Sequence, residues 1–230
     1  VVTVVFFTDR LLLGRYDETA LASMQISGPL LWSLFSVFAA FIAGTMAVLG
    51  RSVGANEPEK AQRSLISVMI FGVILGTIVG MICLFLRPWF ADVLAGPSGT
   101  EQVRALAETY MGVVLLGLPL NLVHITGVTA LQADGDTRTP MWISALQGIL
   151  NLLLSWLLLW GYGPFPEWGI FGAGVGTLAS MTIGAIAVVW LLLQRQGTVR
   201  LQLNRKPSWQ HLQPILKISG PAFVEKIAFH

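Results

Sequence analysis

Long stretches without a charged residue divide the chain and predict its membrane-spanning helices. A helix needs about 20 apolar residues to cross the hydrocarbon core of a bilayer. Strands of an outer-membrane barrel would instead be about 10 residues long and would alternate in polarity. The pattern therefore predicts an all-α integral membrane protein. Five charge-free stretches reach the required length: 19–50, 64–86, 109–133, 139–166 and 168–194.

Glycine and proline refine the boundaries of these helices. Gly28-Pro29 is expected to open the second helix and Thr139-Pro140 the fifth, because proline fits the first helical turn. A run rich in glycine and proline, 161–166, separates the fifth helix from the sixth. The predicted helices are 1–14, 26–50, 64–87, 108–133, 140–161 and 168–194.

Both ends of the chain resemble parts of further helices. Residues 1–14 are apolar except at four positions, and they rise only about 21 Å as a helix, which is too short to span. We interpret them as the second half of a first helix, and residues 214–230 as the start of a seventh. The expectation is a six-helix transmembrane bundle over 1–194 and a polar linker over 195–213, both belonging to a longer protein.

Composition excludes several classes of protein. Hydrophobic residues make up 54% of the chain and charged residues 11%, with a mean hydropathy of +0.72, whereas a soluble domain carries about 25% charged residues. A water-soluble fold and intrinsic disorder are both excluded. The single cysteine, Cys83, excludes a disulfide framework and a cysteine-based zinc site. A net charge of +2 gives no reason to expect nucleic acid as a partner; the expected partner is the lipid bilayer.

The distribution of Lys and Arg predicts the orientation of the chain. Connectors one, three and five hold four basic residues, whereas connectors two and four and the segment after the sixth helix hold nine. Basic residues are enriched in cytoplasmic loops. We therefore expect a multi-pass protein of the plasma (inner) membrane, with its N-terminus and the linker 195–213 in the cytoplasm.

Asp9 is the only carboxylate within an apolar helical segment. A charge inside the membrane costs about 2.5–3.5 kcal/mol on insertion scales, so such residues usually face a cavity and serve ions or protons. The alternative is an ion pair with Arg10 near the membrane surface. Adjacent residues of a helix point in different directions, which opposes that alternative.

The fifth predicted helix has one polar stripe, formed by Ser144, Gln147, Asn151 and Ser155 at steps of three and four residues. The stripe faces either a cavity or a neighbouring helix, to which it would hydrogen-bond for about 0.6 kcal/mol per contact. The residues alone leave both possibilities open. The chain has no phosphate-binding glycine loop, no HExxH motif and no cluster of His and carboxylates for a metal, so we expect no enzyme activity and no cofactor.

Several short motifs, taken in order, resemble the multidrug and toxic compound extrusion (MATE) transporters. The most specific is Gly135-Asp136-Thr137-Arg138-Thr139-Pro140, which is similar to that family's Gly-Asp-Thr-x-x-Pro turn. The resemblance covers the whole chain, as a first six-helix lobe and the entry to a seventh helix. The other matching segments are Thr8-Asp9-Arg10 with Gly14, Gly54-Ala55, Asn151, and Gly172-Ala173 with Thr177.

The resemblance implies one lobe of a twelve-helix, two-lobe antiporter that works by alternating access, the C-terminal lobe being absent from this chain. Such carriers export cationic or amphipathic drug-like compounds in exchange for H⁺ or Na⁺. It also implies a cation site at Asp9, Asn151 and Thr177, and the polar stripe would add Gln147 and Ser155 to the cavity. Ser155 stands where some relatives have a second Asp, and a hydroxyl holds no fixed charge. A proton mechanism is therefore favoured, with Na⁺ at Asp9, Asn151 and Thr177 as the alternative.

Two other functions stay open. A lipid-linked saccharide flippase of the same superfamily would share the helices but would need several Arg or Lys along its groove to hold phosphates. The spanning stretches after the first contain no basic residue, which favours drug export. A non-transporting membrane scaffold would have no ionisable group at membrane depth, and Asp9 opposes it.

Overall fold

The computed structural model describes residues 2–97, 99–202 and 204–228, and it contains no strand among them. The expected fold class, an all-helical membrane protein, is confirmed. In this part of the chain the helices are α1 (Val2–Tyr16), α2 (Glu18–Phe38), α3 (Ala40–Gly54), α4 (Pro58–Ala95), α5 (Glu101–Leu115), α6 (Leu118–Ala133), α7 (Arg138–Trp160), α8 (Gly169–Gln194) and α9 (Trp209–Ala228).

Within the described ranges, four helical segments are long and apolar enough to cross a membrane. They are α4, α7, α8 and the segment Glu18–Gly54, which consists of α2 and α3. The pair α5 and α6 is bent by 46° and makes a fifth span if it is counted once. The break has a local cause, because Pro119 has no N–H to donate to the carbonyl of Leu115.

The structure corrects the predicted start of the second helix. α2 begins at Glu18, and Gly28-Pro29 lies inside it instead of opening it. Asp17 caps the first turn by accepting a hydrogen bond from the N–H of Ala20 at 3.1 Å. A proline inside a helix is tolerated in lipid because neighbouring groups can satisfy the backbone carbonyl that it leaves free.

Other helices also extend beyond the predicted boundaries. α4 has 38 residues and rises about 57 Å, well beyond a hydrocarbon core of about 30 Å. The charge-free stretch 64–86 therefore does not mark the ends of the helix. α9 begins at Trp209, inside the predicted linker 195–213, where the carbonyl of Ser208 accepts from the N–H groups of His211 and Leu212.

The chain divides into two compact units, and the boundaries fall inside α2, α4, α6, α7 and α8. The first unit comprises Val1–Ser33, Thr77–Leu118 and Ala145–Ile183, and the second comprises Leu34–Gly76, Pro119–Ser144 and Gly184–His230.

In the second unit, an ion-pair cluster fixes the turn between α6 and α7. Arg195 donates to Asp134 Oδ2 at 3.0 Å and to Asp136 Oδ2 at 2.8 Å. Asp136 Oδ1 also accepts from the N–H of Thr139 at 3.0 Å and so caps α7. These hydrogen bonds, that of Arg195 first, lower the pKa of Asp136 to about 2. Between the two aspartates, Gly135 has a φ of +87°, which favours glycine.

Candidate functional site

Asp9 lies on α1 and its side chain is fully buried. Arg10, the next residue, is exposed, because adjacent residues point to different sides of a helix. Among the ion pairs of the described residues none involves Asp9. The alternative of an Asp9–Arg10 pair therefore has no support in the structure.

Three uncharged side chains from three helices donate hydrogen bonds to this carboxylate. Tyr110 of α5 and Thr177 of α8 each donate a hydroxyl to Asp9 Oδ2 at 2.7 Å. Asn151 of α7 donates its amide to Asp9 Oδ1 at 3.5 Å. All of these residues belong to the first unit. The predicted residues Asp9, Asn151, Ser155 and Thr177 are thus brought together.

One hydrogen-bond acceptor of this cluster, the carbonyl oxygen of Asn151, has no partner among the described residues. Asn151 Nδ2 lies 3.0 Å from Thr177 Oγ1 and 3.5 Å from Ser155 Oγ. The Thr177 and Ser155 hydroxyls both lie within reach of the carbonyl of Ala173, at 3.1 and 3.3 Å. The carbonyl oxygen of Asn151 is buried and has no hydrogen-bond partner among the described residues. A buried acceptor without a partner is costly, so this oxygen is available to a ligand.

Close packing of α7 against α8 brings Ser155 and Asn151 next to Thr177. A Cβ atom on Gly176 would lie 2.5 Å from the backbone nitrogen of Ser155 and 2.7 Å from its hydroxyl oxygen. A Cβ atom on Gly172 would collide with the carbonyl of Leu158. Only glycine allows the two backbones to approach so closely, as is common between helices in lipid.

Gln147 does not join the hydrogen-bonded cluster. It lies one turn before Asn151 on α7 and is 4% exposed. Its amide oxygen is buried without a partner in the described part of the chain. The polar stripe is therefore divided: Asn151 and Ser155 contact the cluster around Asp9, and Gln147 stays apart from it.

Tyr110 is a member of the cluster that the sequence analysis does not predict. Its side chain is fully buried in α5, and a buried tyrosine hydroxyl usually has a hydrogen-bond partner. If Tyr110 is buried, this rule predicts that its hydroxyl has a polar neighbour. It does not identify the neighbour, because sequence alone does not place α5 beside α1.

The arrangement can exchange a proton or bind a small cation. A carboxylate removed from water and lacking a basic partner is costly in its charged form, and either a proton or a cation would neutralise it. Asp9 is the only carboxylate in the cluster, and no group of three or more His, Cys, Asp or Glu suited to a metal occurs among the described residues. Oxygen atoms of Asp9, Ser155, Thr177 and the Ala173 backbone take part in the hydrogen bonds of the cluster, and the carbonyl oxygen of Asn151 is buried beside them without a partner among the described residues.

A family model decides the classification of this chain: the MatE model matches residues 1–157. The chain belongs to the MatE family. This MatE chain is 29% identical over 226 residues to a probable multidrug resistance protein NorM of Thermotoga maritima, covering 96% of the chain and 47% of that protein. It is 30% identical over 196 residues to an FAD transporter of Shewanella oneidensis, covering 84% of the chain and 42% of that protein.

Solved structures of transporters share the fold of the MatE chain. A transporter of the MOP superfamily from Pyrococcus furiosus superimposes with a TM-score of 0.86 at 22% identity, covering 98% of the chain and 49% of that protein. An outward-facing multidrug resistance transporter of the MATE family gives a TM-score of 0.84 at 23% identity, with the same coverage. The chain spans about half the length of the curated relatives that it matches. The family consists of multi-pass membrane transporters and not enzymes.

Proposed function

We propose that this MatE chain forms one lobe of a secondary-active antiporter, and that the cluster around Asp9 is its cation-coupling site. The complete carrier exports cationic or amphipathic drug-like compounds in exchange for inward H⁺ or Na⁺. A second lobe completes it, and transport occurs by rocking of one bundle against the other around a site between them. It works in the plasma (inner) membrane, with the linker 195–213 in the cytoplasm.

The observation that supports this proposal best is the environment of Asp9. Its carboxylate is fully buried and its hydrogen bonds come from neutral donors. Proton binding neutralises the group, whereas loss of the proton creates a charge that a cationic substrate or inward-facing water would stabilise. Proton and substrate then bind competitively, and reciprocal linkage requires each to weaken the binding of the other.

The residue at position 155 favours H⁺ over Na⁺ as the coupling ion. Ser155 adds a hydroxyl to the cluster but no second negative charge. Sodium stays an alternative because the free carbonyl oxygen of Asn151, with Asp9 and Thr177, supplies oxygen ligands of the kind that hard cations take.

The names of the relatives suggest two kinds of cargo. The relatives called multidrug resistance proteins favour drug-like compounds. The absence of basic residues from the stretches 19–50, 64–86, 109–133, 139–166 and 168–194 agrees with a cationic or amphipathic cargo. The relative that is called an FAD transporter favours a flavin dinucleotide as the second candidate.

Transport by the two-lobe carrier in liposomes tests this proposal. Export of a fluorescent cationic dye should follow an imposed pH gradient, and an imposed Na⁺ gradient of equal size should drive little or none. Excess FAD in the same assay should compete with the dye and slow its export only if the flavin is the cargo. Export that needs neither gradient would contradict antiport.

A further inference from the structure

The second unit contains a basic cavity that the coupling site does not use. Its volume is about 270 Å³. Three helices line it, with Arg51 and Ser52 from α3, Lys60 and Ser64 from α4, and Gln210 and His211 from α9.

Contacts between these helices hold the walls of the basic cavity in place. The N–H of Ser208, just before α9, donates to Ser67 Oγ of α4 at 3.0 Å. Arg205 donates to Glu59 of α4 at 3.1 Å. On α3, a Cβ atom at Gly44 would collide with the carbonyl of Ile215, so the α3 and α9 backbones are in close contact. The cavity is therefore bounded by packed helices and not by a loose loop.

The charges around the cavity are unbalanced. Arg51 and Arg63 take part in no ion pair among the described residues. Lys60 pairs with Glu57 at 2.9 Å, but both side chains are about half exposed, so this pair neutralises little. Glu59, the other nearby carboxylate, is engaged by Arg205.

His211 lies at the wall of the cavity, near the charges of Arg63 and Lys60. Burial, followed by the charges of Arg63 and Lys60, lowers the pKa of His211. Its Nδ1 atom is buried and has no hydrogen-bond partner in the described ranges. A neutral histidine can donate an N–H to an anion. An anion in the cavity would also offset the repulsion by Arg63 and Lys60 that disfavours the charged form of His211.

The cavity lies beside the turn that joins two helical segments long and apolar enough to cross a membrane. The span Glu18–Gly54 ends, and the span Pro58–Ala95 begins, at the turn beside Arg51 and Lys60. Trp209, which precedes Gln210 on α9, is 63% exposed, and tryptophan is enriched at the level of lipid headgroups. Basic pockets between membrane helices on the cytoplasmic side bind anionic headgroups.

We propose that the basic cavity binds a phosphate-bearing anion, either the headgroup of an anionic phospholipid or a soluble phosphate compound. Arg51 would contact two phosphate oxygens with its planar guanidinium, and Lys60 would add a point charge. The side chains of Ser64 and His211 would supply neutral donors at the walls, whereas the hydroxyl of Ser52 already donates to the carbonyl of Val48 at 3.0 Å.

The test uses the purified two-lobe carrier in a neutral detergent and two probes. Phosphatidylglycerol in mixed micelles, with phosphatidylcholine as the neutral reference, represents the lipid source, and pyrophosphate represents the soluble one. Native mass spectrometry counts bound lipid, and the dependence of the melting temperature on probe concentration gives the affinity of each probe. Binding of phosphatidylglycerol alone assigns the site to lipid, and binding of pyrophosphate alone assigns it to a soluble anion.

Matched variants distinguish binding in this cavity from general attraction of anions to a basic protein surface. Arg51→Gln and Lys60→Gln should each weaken binding about fivefold, because each basic residue near an anionic surface contributes about that factor. Arg138→Gln removes an exposed arginine of the same unit that does not line the cavity, and it should change binding less than twofold. The proposal is overturned if neither probe binds, or if Arg138→Gln weakens binding as much as both cavity variants do.

Discussion

At the scale of single residues, the central feature is a carboxylate surrounded by neutral donors. Tyr110 and Thr177 both donate to the same oxygen of Asp9 at 2.7 Å. A hydrogen bond to a buried charged group is among the stronger ones that a protein makes. These donors stabilise the ionised carboxylate without cancelling its charge, so a proton or cation can still bind.

Tyr110→Phe should destabilise the chain through its bond to Asp9. Loss of this hydroxyl leaves Asp9 Oδ2 with one donor fewer, and we expect the free energy of unfolding to fall by about 1–2 kcal/mol. Denaturant titration in mixed micelles measures the change. In the background of Asp9→Asn the same substitution should cost less, because an amide accepts a weaker bond than a carboxylate.

Tyr162→Phe is the matched control for this prediction. Tyr162 is half exposed, stacks on Trp156 with ring centroids 4.6 Å apart, and makes no hydroxyl hydrogen bond among the described contacts. The control should change stability by less than 0.5 kcal/mol, as is usual at the surface. Equal effects of the two substitutions would mean that the bond to Asp9 adds no stability.

Sequence predicted most of the residues of the site but not all of its contacts. Asp9 is identifiable because a charge is costly at membrane depth, and the family resemblance added Asn151 and Thr177. Tyr110 was missed because the pairing of α1 with α5 is a tertiary property that no local pattern encodes. Gln147 shares a helical stripe with Asn151, yet helical spacing does not determine which turn of the stripe meets the carboxylate.

At the scale of helices, glycine on α8 determines how near Thr177 comes to α7. Gly176→Ala should separate the helices, because its Cβ atom would lie 2.5 Å from the backbone nitrogen of Ser155 and no rotamer change can relieve that contact. We expect a loss of about 1–3 kcal/mol in the free energy of unfolding, as for overpacked cores. Denaturant titration in mixed micelles is the measurement.

Gly148→Ala provides the control on the facing helix. A Cβ atom at Gly148 would meet nothing within 4 Å, and alanine is favoured over glycine inside a helix by about 0.5–1 kcal/mol. This variant should be neutral or more stable than the parent chain. If Gly176→Ala were equally harmless, the close approach of α7 and α8 would not limit the site.

The ion-pair cluster at the α6–α7 turn gives a prediction that depends on pH. Asp136→Asn removes the charge that Arg195 binds but keeps an acceptor for the N–H of Thr139. We expect a loss on the order of 1 kcal/mol at neutral pH, because both side chains are partly exposed and solvent screens the pair.

The sign of the pH dependence follows from the lowered pKa of Asp136. Its contribution is complete above the ordinary value of 3.8 and is lost as the pH falls through about 2. The difference in stability between wild type and Asp136→Asn should therefore be constant from pH 7 to 5 and should shrink below pH 4. A difference that grows on acidification would contradict the proposed ion pair.

The helix boundaries are the part of the fold that the sequence pattern predicts least well. The charge-free stretch 64–86 lies inside α4, but α4 continues into charged residues at both ends, because a helix does not have to stop where the hydrocarbon core of a bilayer does. Gly28-Pro29 has the composition of a helix start, and it lies inside α2 because capping by Asp17 starts the helix earlier.

At the scale of the whole molecule, orientation is testable by cysteine labelling in cells. In a Cys83→Ala background, Lys206→Cys in the linker should react only with a membrane-permeant reagent, since the positive-inside bias assigns it to the cytoplasm. Tyr162→Cys, in the connector between α7 and α8, should react with an impermeant reagent added outside. The opposite labelling pattern would reverse the orientation and the direction of the proposed export.

The central claim is that export of the cargo is coupled to binding of an ion at Asp9. A substitution at this residue tests the claim most directly. In the reconstituted two-lobe carrier, substrate efflux is measured under an imposed pH gradient for wild type, Asp9→Asn and Asp17→Asn. The amide at position 9 mimics the neutral, protonated state and cannot exchange a proton, so efflux should be abolished while the fold is kept. Asp17 is an exposed carboxylate at the start of α2, and its amide variant should export at the wild-type rate. Wild-type efflux by Asp9→Asn would make Asp9 a structural residue and contradict the account.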